Sequence, residues 1–361
     1  MISLRIPAAL ALVCALALAA CGGSDAALTC TAPMADCDGN ADNGCETNLT
    51  TSHDHCGRCA RSCLDGTCTN GVCSELTVST ETSASSGIAI DDAAIYTLQD
   101  SGATVRRVLK DGTSPTTLAT VSAGPTDPGY RSIAVEGARV WWITPGAPLR
   151  MVPTAGGAVT DIADGATAVF SYGGGVTFIK SDGTIWAVPA DQTTPTKLAT
   201  SLKNPFDLTQ GINGFFWANE GTLASSYTDG AIEVNANASV SDFAANEPRP
   251  QVIGQGTGFV VWSLADGRIR SKRIDDLNVA KDVTSSLFGV AGLEVDNYIL
   301  YALGSPSASS TRGGPLFALD ISITATTSTP TQQGANVGRA MVSDDKWLYA
   351  AGPTGVWKVA K

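Results

Sequence analysis

Beyond Cys73 the chain has neither cysteine nor histidine: its ten cysteines all fall at or before that position, and its two histidines are His53 and His55. Over the following stretch of about 290 residues this excludes Ser-His-Asp and Cys-His nucleophilic chemistry, and any metal held by histidine or thiolate. Charge is scarce too, at 16 % of 361 residues against roughly 25 % in an average soluble domain. The balance is 34 acidic to 23 basic side chains, so the basic footprint that nucleic-acid phosphates demand is missing. No apolar run reaches the ~20 residues needed to span a bilayer core. Nothing sustains a 3.6-residue period with capping residues, which predicts almost no helix. The 38 glycines and 17 prolines have no G-X-Y period, which excludes collagen, and 43 % hydrophobic residues exclude disorder.

What is present begins with an address. Residues 1–5 carry one positive charge, and residues 6–20 (IPAALALVCALALAA) are an uncharged apolar run, the layout of a secretory signal. The run ends Leu18-Ala19-Ala20-Cys21, which resembles the lipobox of bacterial lipoproteins. That resemblance implies cleavage before Cys21, lipidation of its sulfur and acylation of the new N-terminus, with several acyl chains holding the mature protein at a membrane. Gly22 comes next, not the Asp that retains lipoproteins at the inner membrane of enteric bacteria, so the outer membrane is the expected destination. Without Arg5 the chain carries 22 basic and 34 acidic side chains, a net charge of −12.

Residues 21–29 form a tether, and residues 30–75 form a cysteine-rich module. Cys30, Cys37, Cys45, Cys56, Cys59, Cys63, Cys68 and Cys73 lie among only four sizeable apolar side chains, Met34, Leu49, Leu64 and Val72. So small a core cannot hold a fold, and an exported chain with an even cysteine count reads as a disulfide framework, whose four bridges leave 105 connectivities open. Reduction is expected to unfold this module and spare residues 76–361, which contain no cysteine. A metal held by His53, His55 and the Cys56/Cys59 pair is the rival reading, disfavoured where thiols oxidise. Asp36, Asp38, Asn40 and Asp42 alternate as in a calcium loop, but Ala41 and Thr47 stand where an EF-hand needs Gly and Glu, so an Asx-turn loop without metal is preferred. The stretch Asp36-Cys37-Asp38-Gly39-Asn40, Asn43-Gly44-Cys45-Glu46-Thr47 and His55-Cys56-Gly57-Arg58-Cys59 resembles a segment common in predicted exported proteins of myxobacteria. It implies location and redox state, not activity.

Residues 76–361 repeat. Ile88-Ala89-Ile90 precedes Tyr96, Ile133-Ala134-Val135 precedes Trp141, and Phe170, Leu208, Leu293 and Met341 precede Phe178, Phe216-Trp217, Tyr301 and Tyr349, always by eight residues; Val252 leads to Trp262 by ten. The seven anchors are separated by 45, 37, 38, 44, 41 and 48 residues. A period near 40–45 with four short strands per unit predicts a β-propeller of about seven blades, six or eight being the alternatives. The seventh unit ends after its third strand, and Leu76-Thr77-Val78-Ser79 is an orphan strand placed to complete it. The recurring aromatics are expected in the core between blades. The pattern of triplet, aromatic strand, G-T-hydrophobic, V-P and T-x-L-A resembles YWTD/NHL-like propellers and related bacterial lipoproteins, a likeness informative for fold and not for ligand.

Motifs with chemistry are few. Gly254-Gln255-Gly256-Thr257-Gly258 precedes a strand, not a helix, so it is a hairpin turn and not a dinucleotide site. Ser181-Asp182-Gly183-Thr184 is similar to a sialidase Asp-box but occurs once and without its spacing. Two charge patterns remain. Arg131, Lys203, Arg249 and Arg339 stand just before the innermost strands, flanked by Tyr130 and Phe206; Asp91, Glu136, Asp296 and Asp344 stand just after them. These positions place cations at one mouth of the propeller channel and carboxylates at the other. The functional expectation is therefore a monomeric, cofactor-free, non-catalytic binding or scaffolding lipoprotein whose protein or glycan ligand is anionic and sits at the cationic mouth. A hydrolase or lyase using carboxylates, or a channel calcium as in lactonase-type propellers, is the alternative from another class; it needs two or three converging carboxylates.

Overall fold

The computed structural model describes residues 28–361 except 82, 130, 201–202, 212–213, 237–238, 257, 276–278, 309–311 and 323–327. The signal segment, Cys21 and Tyr130 lie outside the described residues. Each apolar triplet becomes the innermost strand of a four-stranded antiparallel sheet: Ser85–Ile90, Ile133–Glu136, Ala166–Ser171, Pro205–Gly211, Pro250–Gly256, Phe288–Asp296 and Ala340–Ser343. Each of these strands packs on the next and the seventh packs on the first, so seven blades close a ring around a channel. Among the described residues the only helical segments are two 3-10 turns, Asp100–Gly102 and Leu223–Ser225.

The orphan strand closes the ring. Leu76–Thr80 pairs antiparallel with Gly355–Ala360, Ser79 opposite Val356 and Thr77 opposite Trp357, and forms the outer strand of the seventh blade. Both ends of the repeat are thereby tied into one sheet, which leaves that blade no shorter than its neighbours.

The aromatic of each second strand lies opposite the middle residue of the inner strand. Tyr96 faces Ala89, Trp141 faces Ala134, Phe178 faces Val169, Trp217 faces Leu208, Trp262 faces Ile253, Tyr301 faces Glu294 and Tyr349 faces Val342. None of these seven aromatics is more than 1 % exposed, so they are packing groups between blades and not a ligand platform. In the same register Glu294 occupies a position that is apolar in the other six blades.

The cysteine-rich module carries four disulfides, Cys30–Cys45, Cys37–Cys59, Cys56–Cys68 and Cys63–Cys73, and two small hairpins. With Cys56 and Cys59 both spent in disulfides, the rival Cys/His metal site has no thiolate to offer. Cys56, Cys63 and Cys73 are buried in one cluster with Leu303, Met341, Leu348 and Trp357 of blades six and seven. Arg61 reaches across from the module: it is 4 % exposed, and it donates to the Gln333 side-chain oxygen at 2.8 Å and to the Ala360 carbonyl at 3.0 Å. The expectation that reduction spares the propeller does not fit this packing, because the module shares its core with the blade that closes the ring.

Candidate functional site

Irregular pairing at the start of the inner strands builds the cationic mouth. In blade four Pro205 pairs with Asn219 and Asp207 with Ala218, so Phe206 is the extra residue of a β-bulge, which re-aims its side chain at the mouth. There it lines a pocket of ≈ 690 Å³ with Pro128, Gly129 and Arg131 from the entry to blade two, Lys180–Gly183 from the second hairpin of blade three, Asn204, Glu220, and Arg312 from blade six. A second pocket of ≈ 490 Å³ shares Pro128, Thr167 and Ser181 with it and adds Ile143, Pro145, Ala147, Ala166 and two acids, Asp127 and Asp164.

Of the four cations read from the repeat, only Arg131 lines this pocket, and each of the four has its own acid. Arg131 Nε lies 3.1 Å from Asp207 Oδ1, Lys203 Nζ 3.7 Å from Asp229, Arg249 Nε 3.3 Å from Glu220 and Arg339 Nη1 3.3 Å from Asp127. The cations therefore stand at the mouth as matched pairs and not as converging unpaired charge. The acids come from three places: Asp207 from the inner strand of blade four, Glu220 and Asp229 from the connection between the second and third strands of that blade, and Asp127 from the loop that enters blade two. Asp207 is fully buried and accepts, besides Arg131, the amides of Leu208 at 2.7 Å and Ile253 at 2.8 Å. Glu220 accepts Asn204, Gln251 and Arg249. Asp229, hydrogen-bonded first of all by Ser225 and by the Thr222 amide, is held down at about 2.

Arg312 was not legible as a site residue. It sits in the connection between the second and third strands of blade six, donates Nη1 to the Val290 carbonyl at 3.0 Å and stacks on Phe206 with its guanidinium 4.4 Å from the ring centre. Among the described residues no carboxylate lies within ion-pair distance of it. Arg131 from blade two and Arg312 from blade six thus converge on adjacent residues of blade four, Asp207 and Phe206.

Below the mouth the channel encloses ≈ 320 Å³, with Arg131 as part of its wall. Glu294 is the one carboxylate among its lining residues. Burial holds the Glu294 carboxyl above the usual glutamate range, against the opposing pull of Arg131 and of the Ser343 hydroxyl, which donates to it at 3.1 Å. The sequence signal for Glu294 and Asp207 was present: each places an acid within an inner strand that is otherwise apolar at that point.

At the opposite mouth the acids serve turns. Asp91 accepts the amides of Ala93 and Ala94 and the Tyr96 hydroxyl at 2.6 Å; Asp344 accepts Lys346 and Trp347 amides, the Tyr349 hydroxyl and Lys110 Nζ at 2.8 Å. Burial opposes ionisation of Asp344, but Lys110 and the two amides hold it down at about 2; burial and the Asp91 partner push Tyr96 up to about 12. Glu136 accepts the Gly173 amide. In the module Asp36, Asp38 and Asn40 each accept a nearby amide, of Gly39, Asn40 and Asp42, as Asx turns do. The carboxylates that cluster there are Asp36, Asp38 and Glu46, with Glu46 in place of the expected Asp42.

Comparison with known proteins bears on the fold. No family model and no curated protein matches the chain. Among solved structures it is similar to a streptogramin B lyase (TM-score 0.57, 15 % identity, 79 % of this chain and 96 % of that one). It is also similar to the WD40 propeller domain of Doa1 (0.55, 13 %, 80 % and 97 %) and to YCF48 from Cyanidioschyzon merolae (0.54, 13 %, 80 % and 98 %). At such identities the likeness establishes the propeller and nothing finer.

Proposed function

We propose that the protein is an exported, outer-membrane lipoprotein, anchored through Cys21, whose propeller is a non-catalytic, monomeric binding module with its ligand site at the mouth bearing Arg131, Phe206 and Arg312. The observation that carries this reading is the ≈ 690 Å³ mouth pocket, a size typical of ligand sites, walled by Arg131, Lys180, Arg312 and the bulged Phe206. The acids around it support binding over catalysis. Asp207 and Glu220 are each satisfied by three donors, and Asp182 accepts the Thr184 hydroxyl and amide, so neither reactive carboxylates nor a cation cage converges there. Lys203, Arg249 and Arg339 then act by rigidifying the mouth. The ligand expected is a protein or glycan bearing negative charge, with no cofactor and no calcium required.

Arrays of peptides and oligosaccharides probed with the purified full chain test this. Ligands are expected that bind wild type, weaken at least tenfold with Phe206→Ala, and are indifferent to Glu136→Ala at the opposite mouth. Ligands lost with Glu136→Ala and kept with Phe206→Ala would overturn the assignment. Anchoring is tested separately: the mature N-terminus is expected to be an acylated Cys21, and an unlipidated Gly22 terminus would refute it.

A further inference from the structure

We infer that the mouth pocket recognises the C-terminal carboxylate of a polypeptide whose last residue is aliphatic, with Arg312 as the carboxylate-binding group; this rests on the binding reading above. Three observations converge on it.

The first is charge. Within the pocket Arg131 is matched by Asp207 and Glu220 by Arg249, and Lys180 lies over the Trp186 ring at 5.4 Å. Lys180 and Arg312 are thus the two lining cations without an ion pair among the described residues, and of the two it is Arg312 whose guanidinium is held in place at the mouth. Its orientation is fixed from two sides, by the Val290 carbonyl at 3.0 Å and by the Phe206 ring at 4.4 Å, so its remaining N–H groups are pre-organised at little further entropic cost. One fixed guanidinium calls for one planar monoanion, which a carboxylate is.

The second is the adjoining lobe. The ≈ 490 Å³ pocket shares Pro128, Thr167 and Ser181 with the first, so one ligand can occupy both. Its apolar wall is Ile143, Pro145, Ala147 and Ala166, with no aromatic ring among the lining residues; at its edge stand Asp127, paired with Arg339, and Asp164. The third is the state of Phe206, one of whose faces is already covered by Arg312. Saccharides are held by stacking on open aromatic faces, whereas an aliphatic side chain needs only an apolar wall. A carboxylate beside an aliphatic arm is the chemistry of a polypeptide C-terminus ending in Leu, Ile or Val.

The probe is a library of N-acetylated tetrapeptides with free carboxylates, displayed beside the same sequences as C-terminal amides, with hits measured by titration calorimetry against the full chain. Free acids with aliphatic last residues are expected to bind, and amidation to weaken them at least tenfold. Arg312→Gln should weaken them to a similar degree while the chain still melts in one cooperative transition, and Ala147→Trp, at a half-buried position lining the second lobe, should do so by a different route. The inference is overturned if no free-acid tetrapeptide binds, if amides bind as well as acids, or if Arg312→Gln leaves affinity unchanged. Binding of uronate oligosaccharides that Phe206→Ala abolishes, with peptides silent, would overturn this inference and leave the mouth-binding reading standing. Ligands insensitive to every mouth substitution would overturn both.

Discussion

Replacing Arg61 by methionine should destabilise the propeller from outside it. The side chain is 4 % exposed and donates two hydrogen bonds, to Gln333 at 2.8 Å and to the Ala360 carbonyl at 3.0 Å. Bonds from a charged donor contribute about 1.5–3 kcal/mol each, but burial also lowers the proton affinity of this guanidinium, so part of that gain is offset by its desolvation. Methionine keeps the apolar stem and leaves the two oxygens without a partner, at about 1–3 kcal/mol for a buried acceptor. The net loss is then about 2–3 kcal/mol, and at about 2–4 °C per kcal/mol the melting temperature should fall by about 4–12 °C. Scanning calorimetry of the full chain reads the shift. A single transition displaced downward is the expected result. A module that melts in its own transition, with the propeller endotherm unmoved, would refute the claim of a shared core.

Opening Cys63–Cys73 by paired serine substitution removes a link of sequence separation 10, worth about 3 kcal/mol by loop closure, and should lower the urea midpoint of the whole chain; an unchanged midpoint contradicts it. Thiol titration of the denatured, unreduced protein should find none of the eight module cysteines free. A chain begun at residue 87 lacks the closing strand Leu76–Thr80 and bares the third strand of blade seven, so light scattering on concentration should rise; a chain as stable and soluble as wild type would show another closure. Asp344 is held at about 2, below the ~3.9 of an unfolded aspartate, so the stability it brings is complete above about pH 4 and is lost as pH falls toward 2. Asp344→Asn should therefore be less stable than wild type at pH 7, and the gap in denaturant midpoint should close by pH 2; a gap constant with pH would refute the assignment.

The architecture was legible because its signal is local and repeated. An apolar triplet with an aromatic eight residues later is the inner hairpin of a blade, and the missing fourth strand with Leu76–Thr80 unassigned gave the closure. The pairing of charges was not legible, because partners are far apart in sequence. Arg131 meets Asp207 76 residues on, and Arg61 meets Gln333 272 residues on. A repeat alignment sees four cations at one position; it does not see the acids that the inner strand and second hairpin of blade four, and the loop entering blade two, bring to them. Arg312 lies outside the repeating strands, in a connection with no counterpart position, so no pattern could select it. Phe206 reads in the sequence as a flanking aromatic, and the bulge that turns it to the mouth depends on the pairing of Pro205 and Asp207 with the second strand.

A ligand seated at the mouth that carries Arg131, Phe206 and Arg312 should shield the backbone around those residues. Amide hydrogen exchange of the full chain, with and without a saturating array ligand, tests this most directly. Slowed exchange around Arg131, at 180–183, at 204–206 and around Arg312 is the predicted result. Protection confined to the turns that carry Asp91, Glu136 and Asp344, with the mouth unchanged, would contradict it.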